Sequence, residues 1–124
     1  MEPRFELFEH TADLGVRVWA PSRAALVAPA VAGLYACVGE LTAGGGAAPV
    51  EYRFTADEPA LLVHDLLGEL LHVLMTRRAL LTDVAVERFD DTGLVVRGAL
   101  RPVDERVSML HHEVKAVTYH ELEL

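Results

Sequence analysis

Polar and apolar residues alternate through Arg4-Phe5-Glu6-Leu7-Phe8-Glu9 and again through Val16-Arg17-Val18-Trp19, which predicts two half-buried strands joined by residues 10–15. Ala20-Pro21-Ser22 closes the second strand, and Ser22 suits the N-cap of a helix expected to run to about Glu40. Leu26, Ala30, Gly33, Leu34, Cys37 and Val38 form its apolar face, and Pro29 either kinks it or marks the start of its regular part. Residues 41–49, with Gly44-Gly45-Gly46, read as a mobile loop, because neither the Lys-Ser/Thr ending of a P-loop nor the glycine spacing of a dinucleotide site is present. Residues 50–55 alternate as a third strand. Asp57 is the expected cap of the clearest helix, with Pro59 in its first turn, an apolar stripe of Leu61, Leu62, Leu66, Leu70, Val73 and Leu74, and an end near Thr76. Its polar stripe is Asp65, Gly68, Glu69, His72 and Thr76, and Arg77 and Arg78 complement the helix dipole at its end. Two strands over residues 81–89 and 94–102 flank the turn signal Asp90-Asp91-Thr92-Gly93; residues 103–112 read as irregular and 113–124 as a last strand.

This order, strand-strand-helix-strand-helix-strand-strand-strand, predicts a single α+β domain over residues 1–124, a two-layer sandwich with a mixed, largely antiparallel sheet and two helices on one face. A chain of 124 residues with 52% hydrophobic and 24% charged content has enough apolar surface for one core. No apolar run reaches the roughly 20 residues of a membrane span, and the N-terminus lacks an export signal, so a cytoplasmic protein with no membrane partner is expected. Cys37 stands alone in a helical pattern and reads as a buried, inert thiol. The 19 acidic against 11 basic residues, with no basic run, argue against a strong direct grip on nucleic acid and suit a basic protein partner.

Candidate chemistry is sparse. In His10-Thr11-Ala12-Asp13, Asp13 is a hard oxygen donor for a cation and His10 either orients it or adds a second ligand, although an aspartate in a tight connection commonly just caps a turn. In Glu113-Val114-Lys115-Ala116-Val117-Thr118-Tyr119-His120, strand periodicity puts Glu113, Lys115, Val117 and Tyr119 on one face and Thr118 and His120 on the other. Glu69 and His72 have the Glu-x-x-His spacing of bundle metal sites but lack the second copy such sites need, and read as a solvent-facing edge. His111-His112-Glu113 is not the zinc-protease arrangement, and Ser22, Ser108 and Cys37 lack the local signatures of activated nucleophiles.

His10-Thr11-Ala12-Asp13-Leu14-Gly15-Val16-Arg17-Val18 followed by a Ser-started helix, Leu66-Leu67-Gly68-Glu69-Leu70-Leu71, and the 113–120 segment together resemble the archease family over nearly the whole chain. The resemblance implies a non-enzymatic accessory protein of tRNA splicing. Its partner would be an RtcB-type, GTP-dependent RNA ligase, whose guanylylation and repeated turnover it promotes. The family's metal-binding aspartate corresponds to Asp13 and its functionally important lysine to Lys115; His10, Thr118, Tyr119 and His120 match the same two motifs. A divalent cation (calcium, magnesium or manganese) is the implied cofactor. The family's acidic C-terminal end supplies a further carboxylate, for which Glu121, Glu123 and the terminal carboxylate are the substitutes here, and a shortened end would expose a strand edge that favours a homodimer. Two other readings differ in class: a chaperone-like scaffold for basic proteins without a metal, and a metal-dependent hydrolase using Asp13, His10 and Glu69.

Overall fold

The apolar stripes dictate where each element sits. A computed structural model describes residues 2–10 and 13–110, of which 9, 10, 13–15 and 110 are described by their backbone alone. Its elements are β1 (Arg4–His10), β2 (Asp13–Trp19), α1 (Arg23–Val38), β3 (Gly39–Glu40), β4 (Ala48–Thr55), α2 (Pro59–Arg77), β5 (Ala79–Phe89), β6 (Gly93–Pro102) and β7 (Met109–Leu110). Among the described residues every ladder is antiparallel: β1-β2, β3-β7 and a three-stranded sheet in the order β4-β6-β5. This is the α+β sandwich that the element order predicts.

Leu62, Leu66, Leu70 and Leu74 recur every fourth residue on α2, fall on one face, and are fully buried against the sheet. Each such leucine contributes about 1.5–3 kcal/mol relative to exposure. By length and composition α2 would pass for a membrane span, yet its leucine stripe is the core of this domain. Opposite it, Leu94, Val96 and Leu100 of β6 point inward at the strand period of two. On β5 two register shifts, between Thr82 and Ala85 and between Val86 and Arg88, re-phase the alternation. Leu81, Val84, Val86 and Phe89 therefore all reach the core despite their uneven spacing. Asp83 takes φ 55° in the first irregularity, and Gly98 opposite it must be glycine, since a Cβ there would lie 2.6 Å from the Thr82 carbonyl oxygen.

Ser22 caps α1 as its sequence suggests, its Oγ accepting from the Ala25 N–H at 3.2 Å. Pro29 lies inside the helix, which runs without interruption from Arg23 to Val38. The cap of α2 is Glu58 rather than Asp57, without a side-chain cap hydrogen bond, and Pro59 follows in the first helical turn, where its missing N–H costs nothing. Tyr35 ties α1 to β5 by accepting the Leu81 N–H at 2.9 Å on its hydroxyl; burial pushes its phenol up to about 12, the Leu81 hydrogen bond opposing only part of that shift.

Two expectations need correction. The glycine-rich loop is pinned at its start: Gly44 N–H donates to the Pro102 carbonyl, Asp104 N–H to the Thr42 carbonyl, and Ala43 bridges Val103. The 103–112 stretch is likewise less irregular than its sequence implies, since Met109 and Leu110 pair with Glu40 and Gly39. The expected strand at 113–124 lies outside the described residues.

Candidate functional site

The β1-β2 ladder runs in unbroken register from Arg4 opposite Trp19 to His10 opposite Asp13. The strands are therefore longer than a joint over residues 10–15 would allow, because backbone pairing continues as far as His10 and Asp13. Asp13 accordingly starts a strand instead of sitting in a loop, and His10 and Asp13 are direct backbone partners.

The hairpin has two faces. Phe5, Val16 and Val18 turn toward α1, where Gly33 permits the close approach: a Cβ on Gly33 would lie 2.5 Å from Val16 Cγ1 and 3.4 Å from Phe5 Cβ. On the other face the Arg4 guanidinium lies 4.1 Å over the Trp19 ring and that of Arg17 4.4 Å over Phe8, contacts worth about 0.5–1 kcal/mol when exposed.

These contacts fix the direction of the hairpin on the helix. Val18 packs against the cluster of Leu26 and Ala30, near the start of α1, and Val63 of α2, while Val16 lies against Gly33, so β2 followed backward ascends the helix. From Val16 to Asp13 the strand advances about 10 Å, and from Gly33 the helix advances about 8 Å to Val38. The backbone of His10 and Asp13 is thereby carried toward the C-terminal end of α1. At that same end Gly39 caps the helix by donating its N–H to the Tyr35 carbonyl, and pairs with Leu110. The chain leaves the described region next to the helix end toward which the hairpin tip points.

Lys115, Thr118, Tyr119 and His120 lie outside the described residues, as do Glu121 and Glu123, and the side chains of His10 and Asp13 are not among those described. Among the described residues no group of three or more His, Cys, Asp or Glu side chains is placed to hold a metal ion. His72 is exposed on α2, as its sequence implies. Glu69 belongs to the β4 side of that helix, where its charge, second to burial, raises the Tyr52 phenol. Cys37 is buried, and burial pushes its thiol up, which keeps it protonated and unreactive. Sequence reasoning missed the β3-β7 ladder; two residues are too few for a periodic pattern to register.

The profile of the archease protein family matches residues 5–124. The chain belongs to the archease family. An archease from Methanopyrus kandleri is 33% identical over 123 residues, covering 97% of this chain and 88% of that protein. No solved structure matches the chain significantly. Archeases are accessory proteins in RNA ligation and tRNA processing, and membership supports an accessory role for this chain.

Proposed function

We propose that the chain activates an RtcB-type, GTP-dependent RNA ligase in the cytoplasm, promoting its guanylylation and repeated turnover through the corner where the β1-β2 tip meets residues 111–124. The observation that carries the reading is the pairing of His10 with Asp13 at the tip of a hairpin directed toward the end of α1 where Leu110 enters the final segment. Leu110 pairs with Gly39 at that helix end, and Lys115 and residues 118–120 follow it closely in the chain; with the motif resemblance this supports them as lining the same corner.

The donor chemistry fits a divalent cation in kind: Asp13 is a hard oxygen ligand, and the further oxygen donors that a calcium, magnesium or manganese ion requires would come from the acidic residues that follow Lys115. The end of α1 favours positive charge, since a helix C-terminus carries a partial negative charge and the last turn of α1 holds no basic residue. A bound cation would supply positive charge for nucleotide phosphates in the ligase cleft. Asp13 would hold it, Lys115 would offset the carboxylates, and the acidic surface would draw the chain to a basic cleft.

A multiple-turnover ligation assay with the cognate ligase tests this. The natural chain should raise product beyond one turnover per ligase, and Asp13→Ala and Lys115→Ala should lose that gain while retaining far-UV circular dichroism and melting temperature. Calorimetric titration with calcium, magnesium or manganese should show binding to the natural chain and none to Asp13→Ala. Full activation by a folded Asp13→Ala removes Asp13 from the site and leaves the metal-free scaffold as the better account.

A further inference from the structure

Strand β4 is an edge of a very different kind from β5. The β5 edge carries two register shifts and a left-handed Asp83, devices that blunt an edge against further pairing. β4 pairs with β6 over all eight residues, Ala48 to Thr55, with no shift, and among the described residues its other edge bonds to no strand. Along it the polarity alternates cleanly. Val50, Tyr52 and Phe54 are half-buried on the core side, with the Tyr52 and Phe54 rings stacked at 6.4 Å, while Glu51, Arg53 and Thr55 are exposed on the outer face.

The exposed residues belong to a charge ladder that crosses the sheet. Glu87 of β5 pairs with Arg97 of β6 at 3.0 Å, and Arg97 pairs with Glu51 of β4 at 2.8 Å. The sign alternates strand by strand, and the row ends at the open edge on Glu51, whose carboxyl Arg53 and then Arg97 hold below its ordinary range. Arg53 of the same strand also pairs with Glu51, at 2.6 Å, so the open edge presents both signs two residues apart and is complementary to itself when reversed.

We propose that β4 pairs with β4 of a second copy of this chain, antiparallel about a two-fold axis at Tyr52, joining two three-stranded sheets into one of six. That register sets Glu51 opposite Arg53 of the second copy and Arg53 opposite its Glu51, Val50 opposite Phe54, and Tyr52 opposite itself. Neighbouring registers fail for stated reasons. Centring the axis on Glu51 or on Arg53 opposes like charges. A shift by one residue sets the half-buried face of one copy against the charged face of the other. Pro49, which has no N–H to donate, falls opposite Thr55 on an outermost rung, where its missing hydrogen bond weakens the ladder least. The proposal is independent of the ligase reading, since β4 lies on the sheet and Asp13 on the hairpin.

Sedimentation equilibrium over a range of concentrations tests it with two single variants. Glu51→Arg makes both outward charges positive and Arg53→Glu makes both negative, so each opposes like charges in its own dimer. Each should weaken self-association by about ten-fold or more, with far-UV circular dichroism unchanged. Mixed in equal amounts, the two should form a heterodimer, because each then meets its complement. Independently, Tyr52→Cys should cross-link through itself on mild oxidation and Thr55→Cys should not, since paired residues have Cα atoms about 4.5–5.5 Å apart, within disulfide range. A natural chain that stays monomeric at every concentration overturns the proposal and leaves the edge to a strand of another protein. A dimer that both charge variants leave intact overturns it equally, by placing the interface elsewhere.

Discussion

The chain contains two long hairpins built on opposite principles. β5-β6 is irregular in register but deeply anchored: Leu80, Leu81, Leu94, Val96 and Leu100 are buried, and its turn is tied by side chains. β1-β2 is perfectly regular, yet none of its described side chains is buried, and it is held by backbone pairing, by two cation–π contacts on its outer face and by its seat on Gly33. Regularity of pairing and contribution to the core are thus separate properties. The anchored hairpin tolerates bulges because packing fixes it. The shallow one carries the His10–Asp13 backbone pair at its far end and depends on pairing more than on packing.

The contrast is sharpest for Leu94→Ala. Removing a fully buried side chain from β6 should destabilise the protein by about 2–5 kcal/mol, read as a lower urea midpoint with an unchanged slope. A midpoint that does not move would deny β5-β6 its role as anchor. Gly33→Leu comes next, because the new side chain must displace Val16 and Phe5, at a cost of about 1–3 kcal/mol. Amide exchange should then quicken in β1 and β2 while β4, β5 and β6 keep their protection. Uniform quickening would mean that the hairpin and the sheet unfold as one unit. If the ligase reading holds, the same variant should also lose activation, because it unseats the tip without touching Asp13.

The sequence made one of these hairpins much easier to read than the other. Asp90-Asp91-Thr92-Gly93 announces a turn, and the β5-β6 strands flanking it end within two residues of where the sequence pattern predicts, because apolar runs mark a buried sheet. In β1-β2 the alternating pattern stops short of the tip, since His10, Asp13 and Gly15 carry no strand preference and only backbone pairing reveals them as ladder residues. The same limit hid Gly33, whose reason for being glycine is a strand some seventeen positions away in sequence. The motif at 10–18 was legible as chemistry before it was legible as structure, whereas Lys115 and residues 118–120 remain readable through the motif alone. Bulges were invisible for the opposite reason: Leu81, Val84, Val86 and Phe89 break the period of two, and only the register shifts explain how all four turn inward.

The smallest effect concerns how the β5-β6 turn is tied. Asp90 pairs with Arg88 at 2.5 Å and accepts the Thr92 and Gly93 N–H groups at 3.0 and 2.9 Å. The Arg88 guanidinium first, and the Thr92 amide after it, hold its carboxyl down from an ordinary 3.8 to about 2. A carboxyl depressed in the folded state stabilises above its unfolded value, so the tie is complete above pH 3.8 and is lost as pH falls through about 2. Because the pair is exposed, its contribution is small, and the readout is the titration itself rather than the melt. The Asp90 carboxyl carbon, followed by NMR, should titrate near pH 2 in the natural chain. In Arg88→Ala it should move upward but remain below 3.8, because the two turn amides still donate to it. A midpoint at 3.8 in the natural chain would show that this turn closes by backbone geometry alone, and the two hairpins would then differ only in what they bury.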